Sequence, residues 1–467
     1  MIICIIEQHH NHTFHIFWRK KWQKISALPR TLARRLLKNC AKIIEIIKNS
    51  INSSDFISKH RSSTKDFSRT RTLPFPTLFI FICNFLRSSI QEELDRFFQA
   101  VHKLDIPVRK ATASAFCQAR EKIQHTAFIE IIRKSVDAFY SLFTTKTWFG
   151  FRLLAVDGST AVLPDVPAVE EYFGVWKSRH DSKPCPMARL SQMFDVLNNI
   201  TIDALIGSKS MGERDAACRH FKHLKPTDLL LLDRGYPAFW LFRLIIQAGA
   251  QFCARLQIDL WTKVKAQLLE STKSEMLLSL EPSLISAQKC KELGLSLEPI
   301  TLRFIKIKLD NGEYEILATT LTDCEKYSYD VFKELYFKRW PVEEQYKFFK
   351  SRIEIENFTG KSVLAVKQDF YARALMSNLA AMLSFSVDPK VKSVKTEYNI
   401  KYQINKTRAA AKMKNAGILL FFRDDVSSII NALFLLFAQN LSAVRPNRKY
   451  PRVSRGRRFA FPYKGLT

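Results

Sequence analysis

Near residue 150 the hydrophobic period of this chain changes, and that change limits the folds open to it more than any other feature. FRLLAVDGS, RLSQMFDVL, ITIDALIG and DLLLLD are short apolar runs ended by Asp, Gly or Asn, the pattern of buried strands. Between them, GERDAACRHFKHL (212–224) and PAFWLFRLIIQAG (237–249) carry helical spacing, with Pro237 near the start of the second and Gly249 as its stop. QFCARLQ (251–257) adds one more strand. Strands standing before and between helices predict a mixed α/β sheet.

The stretch 258–325 interrupts that alternation. TLRFIKIKL and EYEILATTL read as two strands, and Asp310-Asn311-Gly312 between them supplies the positive φ of a tight hairpin turn. A β-rich insertion is therefore expected between the first part of the core (148–257) and its helical end (326–386). Ahead of the core, Pro74 and Pro76 open a helical region (73–147). There Ser88–Ser89 precede IQEELDRFF, and Thr112 or Ser114 can cap AFCQAREKI. Such a small bundle suits DNA binding. Residues 1–72 hold 15 Lys and Arg against 4 acids and turn Ser/Thr-rich from Asn49, which reads as a basic, partly disordered extension with one amphipathic helix near 30–48. Further helices are expected at 364–386 and 425–440. The C-terminal region (387–467) ends in RPNRKYPRVSRGRRFAFPYK, with eight basic residues and no acid.

Hydrophobic residues make up 47% of the 467, which excludes a wholly disordered chain. The formal charge of +29 calls for a polyanionic partner, and nucleic acid fits best. Nine scattered cysteines without a CxxC pair suggest neither a disulfide framework nor a zinc ribbon, so a reducing cytoplasm is expected. TLFIFICNFL (77–86) is half the roughly 20 residues that span a bilayer, and MIICII lacks a basic leader, so no membrane insertion is expected.

Two carboxylates stand at the ends of apolar strands: Asp157 in LLAVDGS and Asp233 in LLLLDRGY. A carboxylate there sits at a sheet rim, rigidly held and open to solvent, where α/β proteins place chemistry. Taken alone, each Asp equally suits the opening of a turn. In YFKRWPVEEQYKFFK, Tyr336, Arg339, Glu343 and Lys350 are spaced three, four and seven apart. At 100° per residue they fall within about 60° of one helical face, an arc that Pro341 makes approximate. Val331, Leu335, Val342, Phe349 and Ile353 form an adjacent apolar stripe that would press the helix onto the sheet. A solvated face with one Arg–Glu pair, worth roughly a few tenths of a kcal/mol, explains the spacing as well.

Together, VDGS, LLDRGY and Tyr-x-x-Arg-x-x-x-Glu-x-x-x-x-x-x-Lys resemble the DDE transposases of bacterial insertion sequences, in the branch with that signature and a β-insertion before the last acid. SSIQEELDRFF, ATASAFCQAREKI, the LPD of 163–165, the YFG of 172–174 and PRVSRGRR extend the resemblance from about 74 to 464. The separations of 76 residues from Asp157 to Asp233, and 110 more to Glu343, leave room for a ribonuclease-H-like core and its insertion. The resemblance implies that Asp157, Asp233 and Glu343 hold two Mg²⁺ ions, with Mn²⁺ able to substitute. The reaction it implies is in-line attack at phosphorus, first nicking the element's end and then transferring the strand into target DNA. Arg339 and Lys350 would clamp phosphates near the scissile bond, and Tyr336 would contact the terminal phosphate or nearby backbone. An aromatic in the β-insertion would stack on a flipped base; Trp261 is the one Trp there, though no motif anchors the role. The expected partners are double-stranded DNA (terminal inverted repeats and target) and a second copy in a homodimer, in the bacterial cytoplasm on the nucleoid.

Other clusters are weaker. His9, His10, His12 and His15 lie in the basic extension with no fixed geometry, and Cys218, His220 and His223 lack an evident fourth ligand. A nuclease without strand transfer, or a DNA-binding regulator that has lost catalysis, would share the charge. The intact acids with Arg339 and Lys350 argue against the regulator.

Overall fold

The computed structural model describes residues 30–69, 71–177, 184–257, 259, 261–309, 312–392 and 401–444. The histidine cluster at 9–15, the basic tail from 445, and Asp310 and Asn311 lie outside the described residues.

The apolar runs form one nine-stranded mixed sheet. β1 (Arg152–Val162) is its centre. On one side lies antiparallel β3 (Cys185–Asp195), which also pairs with β4 (Ile200–Gly207) and the two-residue β2 (Val175–Trp176). On the other side lie parallel β5 (Asp228–Leu232) and β6 (Gln251–Arg255). β5 is entirely buried, which is why it reads as an unbroken leucine run rather than an alternation. Three antiparallel strands followed by two parallel ones fit a ribonuclease-H-like core.

The strands of the 258–325 stretch continue this sheet. β9 (Tyr314–Thr319) pairs with β6, β8 (Ile300–Lys308) with β9, and β7 (Glu275–Leu280) with β8. Gly312, at φ 86°, occupies the left-handed position that the hairpin between β8 and β9 requires.

Among the described residues six helices precede the sheet: α1 (Arg30–Asn52), α2 (Ser54–His60), α3 (Phe75–Cys83), α4 (Ile90–His102), α5 (Ala113–Arg120) and α6 (Thr126–Leu142). Ser89 and Thr112 cap α4 and α5, each accepting from the backbone N–H three residues on. α1 is longer than the amphipathic stretch expected at 30–48. It buries Cys40, Ile43, Ile44, Ile47 and Ile51, so from residue 30 the extension is part of the packed fold.

Around the sheet lie α7 (Pro167–Phe173), α8 (Glu213–His220), α9 (Phe239–Gln247) and α10 (Leu284–Glu292). Gly249, at φ 75°, ends the turn after α9 as its sequence indicates. α11 (Tyr329–Phe337), α12 (Pro341–Ser351), α13 (Val363–Lys392), α14 (Lys406–Phe422) and α15 (Val426–Gln439) complete the chain, with a small β10–β11 ribbon (Tyr402–Ile404, Leu441–Ala443). Among the described residues no helix is long and apolar enough to cross a membrane.

Candidate active site

The sheet places the first two acids side by side. β1 and β5 run parallel, and their last registered pair is Ala155 with Leu231. Asp157 follows two residues later on β1 and Asp233 stands just past the end of β5, near enough for the charge of Asp233 to act on Asp157. Asp157 is the first half-exposed residue after five buried ones in β1, and Asp233 directly follows the buried end of β5.

α12 brings in the third acid. Val342 and Phe349 are buried, and the Tyr346 hydroxyl donates to the Asp157 carbonyl at 2.8 Å, pinning the helix across β1. Leu335 and Ile353 of the same apolar stripe are buried as well, and Val331 packs partly buried against the core. The expected single helix is instead two, α11 and α12, with Tyr336 on the first, Arg339 in the turn between them, and Glu343 and Lys350 on the second. The Arg339 Nη2 donates to Glu343 Oε1 at 2.5 Å, and the Tyr336 hydroxyl donates to Asp233 Oδ1 at 3.2 Å. Glu344 points elsewhere, taking the Trp340 indole at 3.2 Å and Lys347 at 2.6 Å in solvent.

The charges of these groups act on one another. Burial pushes the Asp157 carboxyl up to about 6, with Glu343 and Asp233 adding to the rise while the Gly158 N–H and Arg339 oppose it. Arg339 is itself buried, which works against its charge, yet Tyr336, Asp233 and Glu343 hold its pKa above the usual value. All three acids thus interact with one guanidinium. Among the described residues no three His, Cys, Asp or Glu side chains converge closely enough to hold a metal ion. In this arrangement Arg339 supplies the positive charge.

Lys350 is not brought to that cluster. It lies about 10 Å along α12 from Glu343. Burial lowers its pKa, and the carboxylate facing it is Glu356, which accepts the Val162 N–H at the far end of β1. Trp261 is partly buried against Phe242, with ring centroids 5.9 Å apart. Cys218 does not join His220 in a metal site. His220 is buried, linking Ser191 at 3.0 Å and Asp203 at 2.7 Å in a polar chain that ties α8 to β3 and β4.

Several neighbours of the acids escape a reading by spacing. Tyr236, three residues past Asp233, is buried with its hydroxyl unpartnered, and its pKa is raised first by burial and then by Asp157, Glu213 and Asp233. Gln192, opposite Asp157 on β3, is fully buried with both amide atoms unpartnered. Glu213, in the first turn of α8, reaches back toward Gly158 and Gly235, the small residues that follow the two aspartates, and pairs with Arg189 at 3.0 Å. A side chain at either glycine would meet Glu213 at ordinary contact distance, the closest approaches being 3.6 and 3.7 Å. An acid in a helix's first turn is the one local hint that sequence offers for Glu213.

Residues 148–379 match the family model of the transposase DDE domain. The transposase InsG of insertion sequence element IS4 from Escherichia coli (strain K12) is 23% identical over 296 residues, covering 62% of this chain. The match spans 65% of that relative's length. Among solved structures, the cryo-EM piggyBac transposase synaptic complex with hairpin DNA aligns with a TM-score of 0.41 at 11% identity, over 84% of this chain and 85% of that one. Residues 148–379, which take in the three acids and the first part of α13, are therefore a transposase DDE domain.

Proposed function

We propose that the chain cuts DNA at the ends of an insertion sequence and joins those ends to target DNA, with Asp157, Asp233 and Glu343 as the acids of the reaction. The observation that carries this reading is the parallel β1–β5 pairing, which ends just before Asp157 and Asp233, with α12 fastened to Asp157 through Tyr346. The donor set has the chemistry that hard divalent cations take, carboxylate oxygens at a half-open rim, although the three acids would have to close in from their present positions to share an ion. The unpartnered Arg339 Nε, Tyr236 hydroxyl and Gln192 amide beside it are polar atoms that a hydrated ion or a substrate phosphate would satisfy. Bound there, divalent cations, with Mg²⁺ as the expected ion, supply Lewis acidity for attack of water or a 3′-hydroxyl at phosphorus.

The chain's own groups do the rest. Arg339 neutralises the acids while substrate is absent, and its buried Nε is a donor free for a phosphate oxygen. The Tyr336 hydroxyl, held by Asp233, is placed to touch the backbone beside the scissile bond. Lys350, farther along α12, contacts a phosphate some distance from it. The partners are the terminal inverted repeats, target DNA and a second copy of the chain, on the bacterial nucleoid in the cytoplasm.

Asp157→Ala and Asp233→Ala test this directly. Each deletes a metal ligand but no phosphate contact. Cleavage of labelled end DNA should vanish, with gel-shift affinity nearly intact. Normal cleavage by either variant would remove the acids from the reaction. Cleavage without joined products in the unmodified protein would favour a nuclease that does not transfer strands.

A further inference from the structure

A cavity of about 930 Å³ lies in the helical region ahead of the sheet, between residues 65–69 and 71–73 on one wall and 109–122 on the other. Six cations line it: Lys65, Arg69, Arg71, Arg109, Lys110 and Lys122. No acid lines it. Asp95 pairs with Arg109 at 3.3 Å; among the described residues the other five have no carboxylate partner. Such a concentration of unpaired charge is unfavourable in the free protein and becomes favourable against a polyanion.

The groove is built, not incidental. Its two walls are sewn together at the base: Arg61 bridges Ile123, the Ser62 N–H donates to the Lys122 carbonyl at 2.9 Å, and the Gln124 N–H to the His60 carbonyl at 2.8 Å. Phe67, on the first wall, is held at φ 57°, a conformation costly for an aromatic residue, by edge contact with Phe75 at 5.2 Å. On the second wall, Thr112 caps α5 by accepting the Ala115 N–H at 3.1 Å, and both residues line the groove.

The far end of α5 is fastened to the acid-bearing half of the molecule. Arg120 donates to Gln368 at 3.0 Å, to Thr359 at 2.9 Å and to Asp369 at 2.9 Å, while the Gln368 amide donates back to the Arg120 and Ile123 carbonyls. Gly360 permits this approach, because a side chain there would come within 2.9 Å of the guanidinium and 2.6 Å of Ala365. Gln368 and Asp369 sit on α13, the next helix after the one that carries Glu343.

We infer that this groove is a docking site for the phosphodiester backbone of DNA, kept in fixed register with the acid rim by the Arg120 fastening. The inference rests on the reading of the chain as a DNA-processing protein and adds where, outside the rim, the strand is held. The groove takes backbone and not bases: its cations are long and flexible, and phosphate is the chemistry they share.

The test uses the full chain with Lys65→Gln, Arg71→Gln and Lys110→Gln combined, three exposed positions whose loss leaves the core untouched. Affinity for a duplex and for a single strand of the same sequence is measured across salt concentrations. Losing three phosphate contacts should weaken binding roughly tenfold or more and flatten the log–log salt slope by about 2.7 for a duplex, or about 2.1 for a single strand. The arm that flattens identifies which form of DNA occupies the groove. A charge-matched variant, Arg34→Gln with Arg35→Gln and Lys38→Gln on α1, should change the slope less. An unchanged slope in the groove variant, or an equal change in the α1 variant, overturns the proposal while leaving the acid rim as it stands. Intact DNA binding with lost binding of poly-glutamate would assign the groove to an acidic protein and overturn it too. Failure of the unmodified chain to bind either DNA would overturn the groove and the DNA reading together.

Discussion

Among the arginines buried beside carboxylates, Arg120 and Arg339 are treated in opposite ways by their surroundings. Arg120 meets Asp369 with every guanidinium nitrogen bonded, and Asp369 in turn accepts from the Thr359 hydroxyl and N–H. Arg339 meets Glu343 through one nitrogen, leaves its Nε unpartnered, and interacts with two further acids it does not bond. The first network is closed and serves the fold. The second is open, short of donors and crowded with like charge, which is how a protein looks where a ligand completes it.

If that contrast is right, damage to the two places should have opposite consequences. The largest effect on stability is expected from Asp369→Ala, which strands a buried guanidinium and should cost about 3–5 kcal/mol. Urea titration would show it as a lower midpoint with an unchanged slope. A loss below about 1 kcal/mol would make the two arginines equivalent and erase the distinction.

At the open network the sign should reverse. The native Asp157 carboxyl titrates at about 6 against 3.8 for the ordinary group, so between those values the folded protein keeps a proton that the unfolded chain has lost. Stability therefore falls as pH rises through that window, and the penalty is complete above it. Asp157→Asn should stabilise the metal-free protein by about 1–2 kcal/mol at pH 7.5, a value discounted for partial exposure, and the gain should vanish below about pH 4. Chelator-treated samples melted across pH would show it. Destabilisation at pH 7.5 would mean that Asp157 is a structural acid like Asp369.

The smallest effect sharpens the boundary of the site. Glu344 bonds Lys347 and Trp340 in solvent, so Glu344→Gln should change stability by no more than about 0.5 kcal/mol at any pH.

How much of this the sequence shows depends on range. Runs such as LLLLD and the stop at Gly249 report local chemistry, and β5 and α9 appear where those signals put them. The Arg339–Glu343 pair, four residues apart, is legible too, although Arg339 stands in the turn between α11 and α12. α14 is not: its alanines and lysines precede ILLFF without an amphipathic repeat, so no period marks it. The packing of α1 is equally hidden, because its isoleucines bury against α6 and α15, far along the chain. The Arg120–Asp369 pair joins residues 249 apart, and Gln192 meets Asp157 only through the β1–β3 register. Lys350 is legible as to its face, while its neighbour Glu356 is set by the packing of the segment that follows α12.

The most direct test sets two adjacent residues against each other. Glu343 and Glu344 are neighbours of identical chemistry, one bonded to Arg339 at the rim and the other to Lys347 in solvent. Glu343→Gln and Glu344→Gln should be purified as full chains and assayed side by side for cleavage of labelled end DNA with Mg²⁺ and with Mn²⁺. Glu343→Gln should lose on the order of a thousandfold in rate with either ion, equivalent to about 4 kcal/mol of transition-state stabilisation, while Glu344→Gln keeps most of its activity. The opposite pattern, or equal activity in both, would contradict the assignment of the open arginine network as the catalytic centre.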